Sequence, residues 1–225
     1  MAIAVALVAC GQGSPSPAKP VDAAAALRDG GAAMARVKSV TATLKFTKGT
    51  VSFQGFALSG AKTSVRLPGD SDTTYTVKQQ DLSISIEVVI SNGHVFVHVP
   101  FSNFQEFTGA NAAVIPDAAK LFDPATGLPA VIPVGLDPKY LGTEAVAGVS
   151  SYRVTATYTP DQVHAMFAQI TPGGNVQATI WIGASDHLIR KANLDGPFGD
   201  GGKESAVEVD IAGFNAAVSI TSPSP

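Results

Sequence analysis

Cys10 is the only cysteine in the 225-residue chain, and it stands at a sharp change of composition. The apolar run Ala2 to Ala9 leads into it, ending Leu7-Val8-Ala9-Cys10, and the turn-forming stretch Gly11 to Pro20 follows. A lone thiol forms no intrachain disulfide. Burial is a common fate of free cysteine, but Gly-Gln-Gly-Ser-Pro-Ser-Pro offers no core to bury it in. His94 and His98 lie four apart on a predicted strand and so share a face. A metal there needs a third ligand, and nothing nearby has the spacing of a zinc motif. Ser, His and Asp all occur, yet no Gly-x-Ser-x-Gly nucleophile elbow does, which counts against an esterase or acyltransferase. The Gly-rich stretch Asp195 to Gly202 lacks the Lys-Ser/Thr of a phosphate loop and reads as a hairpin loop. Asp186-His187 reads as a turn, and Trp181 as core or cavity wall. No enzyme chemistry and no cofactor is indicated.

The elements around these residues are mostly strands. Val21 to Val37 reads as an Ala-rich helix with Leu27, Met34 and Val37 among its apolar positions; Gly30 and Gly31 weaken it by about 1 kcal/mol each. From Ser39 the period changes to two: Val40, Ala42, Leu44 and Phe46 alternate with Ser39, Thr41, Thr43 and Lys45, the pattern of a half-buried strand. Strands are predicted again over Val51 to Phe56, Thr63 to Leu67, Thr73 to Gln79, Leu82 to Ile90 and His94 to Val99. Between them lie the turn signals Leu67-Pro68-Gly69-Asp70 and Ser91-Asn92-Gly93. The alternation resumes over Glu144 to Val149, Ser151 to Tyr158, Gln177 to Ile182, His187 to Leu194, Glu204 to Ile211 and Asn215 to Ile220. Thr159-Pro160-Asp161-Gln162 starts a helix, with Thr as N-cap, Pro at N1 and Gln at N3.

One stretch breaks the meander. Gly109 to Lys139 holds Pro116, Pro124, Pro129, Pro133 and Pro138, with helix-capable pieces at Asp117 to Phe122 and Leu128 to Val134. A long irregular segment inside a compact domain is usually functional or a lid. The whole reads as α+β: a strongly curved antiparallel sheet, a half-barrel, whose concave face is covered by helices. Only 15% of residues are charged, against the usual quarter, and the net charge is −3 with no basic run. Nucleic acid is therefore excluded as a partner.

Leu7-Val8-Ala9-Cys10 resembles the lipobox of bacterial lipoproteins, in which the cysteine is diacylated on sulfur after cleavage in front of it. The resemblance implies that Cys10 is lipidated and that residues 1–9 are the remnant of a signal peptide. A full signal peptide is basic at its start and about 15–30 residues long, so the true start is expected upstream of Met1. Residues 10–20 become the lipidated cysteine and a flexible linker, and residues 21–225 the lipid-binding domain. The chain is expected to be lipid-anchored on the outer, periplasm-like side of the cell membrane.

Beyond the tether, the chain resembles the mycobacterial lipoprotein family that includes LppX, LprA, LprF and LprG. Three segments carry the likeness: Val37-Lys38-Ser39-Val40 passing from helix to strand, Leu121-Phe122-Asp123-Pro124-Ala125-Thr126-Gly127-Leu128, and Gln177 to Ile182 followed by Asp186-His187-Leu188-Ile189 and Leu194-Asp195. The family implies a half-barrel similar to the carriers LolA and LolB, with an apolar cavity for acyl chains. The implied partners are a triacylated glycolipid, a lipoglycan, a triacylglycerol or a wax-type lipid. A membrane lipid transporter is a further expected partner, and the protein is expected to act as a monomer. The alternative is an envelope scaffold with a packed core. Candidate cavity residues are Leu44, Phe46, Phe53, Val65, Ile84, Ile86, Val95, Val97, Ile115, Leu121, Phe122, Leu128, Val131, Met166, Phe167 and Ile180. Each of them serves a packed core equally well, because both uses need the same residue types.

Overall fold

The computed structural model describes residues 21–224 except positions 54, 81 and 168; Cys10, the apolar run before it and the linker lie outside these. Among the described residues, twelve strands form one antiparallel sheet: β1 (Ser39–Lys48), β2 (Val51–Phe53), β3 (Phe56–Arg66), β4 (Asp70–Gln79), β5 (Leu82–Ser91), β6 (His94–His98), β7 (Gln105–Phe107), β8 (Leu136–Val146), β9 (Val149–Tyr158), β10 (Val176–Gly183), β11 (Ile189–Gly199) and β12 (Lys203–Ala212). The order is β7-β6-β5-β4-β3-β1-β12-β11-β10-β9-β8, with β2 paired to β3 alone. Two meanders thus meet at β1, which pairs with β3 on one side and β12 on the other. The sheet is unclosed and curved, as the half-barrel reading requires. Register shifts in β1, β3, β8 and β11 are the bulges that bend it.

Four α-helices accompany the sheet: α1 (Ala23–Met34), α2 (Gly109–Ala113), α3 (Leu128–Val131) and α4 (Pro160–Met166), with 3₁₀ turns at Ala118–Phe122 and Ile132–Val134. The Asp22 carboxylate caps α1 by accepting the Ala25 N–H at 3.0 Å. Thr159 and Gln162 form the expected capping box on α4. Gly31 earns its place through a close approach. A methyl there would lie 2.6 Å from the Pro129 carbonyl oxygen and still nearer Pro133 Cγ, so α1 packs backbone-close against the segment 109–134.

Four predicted elements differ. The stretch Asp195 to Gly202, read as a hairpin loop, is strand as far as Gly199, because β11 runs on against β10 and β12. Val51 to Phe56 is a hairpin rather than one strand, because Phe53 pairs with Phe56 across a tight turn. Strand β8 begins at Leu136, inside the stretch read as irregular. Pro138 sits where β8 shifts register against β9, at the edge of the sheet, and an edge strand tolerates a residue that cannot donate to the ladder. Asn215 to Ile220 is not a strand. β12 is already paired on both sides and offers the following tail no free edge, so the tail instead lays Val218 and Ile220 over Val89 and Phe96 on the outer face.

Candidate functional site

The face of the sheet toward α1 and the segment 109–134, hereafter the inner face, carries two apolar clusters. The larger joins α1 (Leu27, Met34), β1 and β3 (Val40, Val65), the covering segment (Phe122, Val131, Ile132) and β9 to β12 (Val154, Ile180, Ile182, Ile189, Val207). The smaller joins Phe53, Tyr75, Val77, Ile86, Val88, Val97 and Ile115. Between them the buried hydroxyls of Thr63 and Thr73 bond each other at 2.7 Å. Each satisfies the other, so the apolar face is not broken by an unpaired polar group.

All sixteen candidate residues fall in these two clusters. Leu44, Phe46, Val65, Leu121, Phe122, Leu128, Val131, Met166, Phe167 and Ile180 belong to the larger, and Phe53, Ile84, Ile86, Val95, Val97 and Ile115 to the smaller. Leu44, Phe46, Ile84, Val95, Leu121, Leu128 and Phe167 are half-buried; the other nine are buried. A recess of about 460 Å³ opens where β1, β3 and β4 meet, lined by Thr43, Lys45, Lys62, Thr74 and Thr76 and bordered by Leu44 and Ala61 of the two clusters.

The covering segment is shaped by its own sequence. In Asp123-Pro124-Ala125-Thr126-Gly127 the Asp123 carboxylate accepts from the N–H groups of Ala125 and Thr126 and from the Thr126 hydroxyl, each at 2.9 Å. Those bonds, the Thr126 hydroxyl first, hold its pKa below the ordinary value. Gly127 packs against the Leu121 carbonyl at a distance no Cβ allows. The turn thereby aims Phe122 and its neighbours Leu121 and Leu128 at the larger cluster.

Three side chains fasten this cover by its carbonyls. Tyr75 Oη donates to Pro116 O at 3.2 Å, Tyr158 Oη to Ile132 O at 3.0 Å, and Gln162 Nε2 to Val134 O at 3.1 Å. Burial pushes both phenol pKa values up, that of Tyr75 with help from the Asp117 charge. Both hydroxyls therefore stay protonated and able to donate. Burial also raises the Asp117 pKa, against the hydrogen bond it accepts from the Ala119 N–H. Sequence reasoning missed these fasteners. Tyr75 stands in a visible alternation with Thr73 and Val77, but nothing local tells that its hydroxyl meets a carbonyl 41 residues on.

The polar candidates disperse. His94 and His98 share the outer face, but their Nδ1 atoms turn to different carboxylates, Glu106 at 2.6 Å and Glu87 at 3.6 Å. His187 stands in the β10–β11 turn at φ +58, where Asp186 accepts the Leu188 N–H. Trp181 is buried, at 6% exposure, but on the outer face and so not a wall of the inner one. Alternation with Ile180 and Ile182 turns it outward, where its indole N–H donates to Glu144 and the Lys191 ammonium lies 5.6 Å from the ring centre. No helix among the described residues is long and apolar enough to cross a membrane.

Comparison with known proteins agrees with this architecture. The crystal structure of LprF from Mycobacterium bovis superposes with a TM-score of 0.69 at 19% identity, covering 95% of this chain and all of that one (100%). Mycobacterium tuberculosis LppX follows at 0.61 and 18%, covering 88% and 97%. The lipoarabinomannan carrier protein LprG of Mycolicibacterium smegmatis is 28% identical over 139 residues, 60% of this chain and 55% of that protein. LprG of M. tuberculosis H37Rv is 24% identical over 165 residues, 70% and 67%. The chain thus spans little more than half of the first of these relatives. Residues 22–220 match the family described as LppX_LprAFG lipoprotein, nearly the whole described domain, and the chain belongs to that family.

Proposed function

We propose that the protein is a lipid carrier of the cell envelope, held to the membrane through an acylated Cys10. It takes a multi-acylated lipid or glycolipid between the inner face of the sheet and its cover and passes it on across the envelope. The observation that carries this reading is the pairing of two apolar clusters on one face of an open sheet with a cover of short helical pieces. That cover, residues 109–134, is fastened at three backbone carbonyls. The sixteen inner-face residues are the acyl-chain contacts. The mechanism is physical: an acyl chain moves from one apolar medium to another, so the net free energy is small and the direction is reversible. Exposing the chain to water on the way would cost about 0.8 kcal/mol per CH₂, so the carrier has to enclose it. Relatives named as lipoarabinomannan carriers support a lipoglycan or triacylated glycolipid as cargo; a triacylglycerol or wax-type lipid presents the same chains. Supply by a membrane lipid transporter and action as a monomer complete the proposal.

One observation favours the second reading, an envelope scaffold with a packed core: Val65, Phe122 and Ile180 are at most 2% exposed. Native mass spectrometry separates the two. The chain is made from Gly11 in an actinobacterial host, and bound molecules are extracted and identified. A stoichiometric di- or triacylated adduct is expected. A clean apo mass that persists after incubation with envelope lipids refutes the carrier and leaves the scaffold.

A further inference from the structure

The apolar rows of β5 and β6 do not stop where the smaller cluster stops. Side chains alternate along a strand, so Leu82, Ile84 and Ile86 share the inner face of β5. Exposure falls along that row from 68% at Leu82, through half-buried Ile84, to 5% at Ile86. On β6, Val97 faces inward at 8% exposure, and Val99 continues the alternation just past the strand at 43%. Pairing of Gln79 with Leu82 puts Leu82 at the β4–β5 turn, and pairing of Glu87 with His98 sends residues 99–101 toward the same end of the sheet. Two apolar tracks therefore run from one rim of the sheet into its buried face.

Phe101 stands at that rim, fully exposed and with φ +67. A bulky residue in the left-handed region is a strained outlier, and an aromatic ring in water is unfavourable as well. The loop nevertheless holds it there: the Ser102 hydroxyl donates to the Val99 carbonyl at 2.8 Å, and the Ser102 N–H donates to the same oxygen at 3.2 Å. Within the domain neither cost has a return; an occupant that takes up the ring supplies one.

We propose that Phe101, Leu82 and Val99 form a docking edge that inserts into the surface of a lipid bilayer. The inward rows of β5 and β6 then lead an acyl chain from the bilayer to the inner face. The purpose assigned to the edge rests on the carrier reading; the docking itself does not. A bilayer fits better than a protein. The side chains project singly from two separate connections, and a rigid partner needs a complementary pocket for each across about 1,000 Å² or more of interface. Fluid acyl chains mould around separate spikes. The tracks also end in apolar interior, a destination that means something to a lipid and nothing to a protein partner.

The test uses the chain from Gly11, which retains every described residue and lacks the acyl anchor, with flotation on phosphatidylcholine vesicles. The unaltered chain is expected to float. Phe101→Gly removes the ring and suits φ +67, so it is expected to weaken partitioning about tenfold, equivalent to about 1.4 kcal/mol, while raising the thermal midpoint. Leu82→Ser is expected to weaken partitioning without raising the midpoint. Failure of the unaltered chain to float, equal flotation of Phe101→Gly, or a lower midpoint for that variant overturns the docking edge, whatever lipid adduct is found. A clean apo mass in the native spectrum overturns the carrier reading and leaves a positive flotation result standing.

Discussion

Tyr158→Phe tests whether the segment 109–134 is a gate. The substitution deletes one oxygen and leaves the Ile132 carbonyl, buried under α1, with only the Gly135 N–H at 3.3 Å in place of two donors. Because that acceptor keeps a backbone donor, the loss is the net worth of one hydrogen bond, about 0.5–1.5 kcal/mol. Tyr75→Phe removes a 3.2 Å bond to the half-buried Pro116 carbonyl, and the loss there is of the same order, about 0.5–1.5 kcal/mol. If the cover lifts as a unit, each loss multiplies its open population, by about tenfold for every 1.4 kcal/mol. Transfer of a fluorescent triacylated lipid from vesicles to the chain, followed with time, should then accelerate about two- to tenfold in Tyr158→Phe and in Tyr75→Phe. Urea midpoints measured alongside should fall in both. The acceleration should be flat from neutral pH to mildly alkaline pH. The sign follows from the raised phenol pKa values: their contribution is complete below about 10, where the unfolded tyrosine begins to ionise, and is lost only above that. A lower urea midpoint with unchanged transfer would refute the gate, because the fasteners would then hold the fold without controlling access. No change in either would refute the fasteners themselves.

Adjacent glycines in α1 should respond in opposite directions. Gly31→Ala drives a methyl into Pro129 and Pro133 and should lower the thermal midpoint, overpacking costing about 1–3 kcal/mol against the ~1 kcal/mol that alanine returns to a helix. At Gly30 the nearest atoms are 3.5 Å away on Ile182 and Ile189, ordinary contacts, so Gly30→Ala should raise it by up to about 1 kcal/mol in stability; midpoints moving the same way would misplace the α1–cover contact. Asp117→Asn keeps an acceptor for the Ala119 N–H and removes a charge that burial disfavours. Because the folded-state pKa of Asp117 is raised, the native chain gains stability as pH falls from neutral through that value. The variant should therefore be more stable at neutral pH, with the advantage shrinking as pH falls. Urea midpoints across a pH series check this, and an advantage that grows on acidification contradicts it.

Alternation made the sheet legible, because one face of almost every strand is buried and period two survives in residues such as Leu82 to Ile90. Capping made α4 legible: Thr159, Pro160 and Gln162 act over three residues and need no tertiary knowledge. What escaped depends on partners. Val218 and Ile220 alternate and pack on Val89 and Phe96 of the outer face, yet strand formation also needs a free edge, and β12 has none. Trp181 has the composition of a core residue, but its face is set by register against β9 and β11, and the outward choice is stabilised by Glu144 and Lys191 from other strands. Pro138 hid the start of β8 because proline argues against a strand everywhere except at an edge. The candidate site was legible as a set of residues sharing a face. Its fasteners were not, since a phenol that meets a carbonyl across the fold leaves no local trace.

The energetics of the cover tie its opening to a membrane. Ile115, Phe122, Val131 and Ile132 are all buried by this one segment. Burial of side chains of this kind is worth about 1.5–3 kcal/mol each, so exposing all four to water would cost on the order of 6–12 kcal/mol. That is comparable with the entire stability of an ordinary domain, about 5–15 kcal/mol. An open state in bulk water is therefore populated hardly more than the unfolded chain. The fasteners cannot be the main barrier; they modulate an opening whose principal cost is apolar exposure. Only an apolar replacement removes that cost, and in the proposed carrier acyl chains arriving along Leu82–Ile84–Ile86 and Val99–Val97 would supply it as the cover lifts. Opening in the wrong place, away from a bilayer, is suppressed by the same hydrophobic term that closes the core.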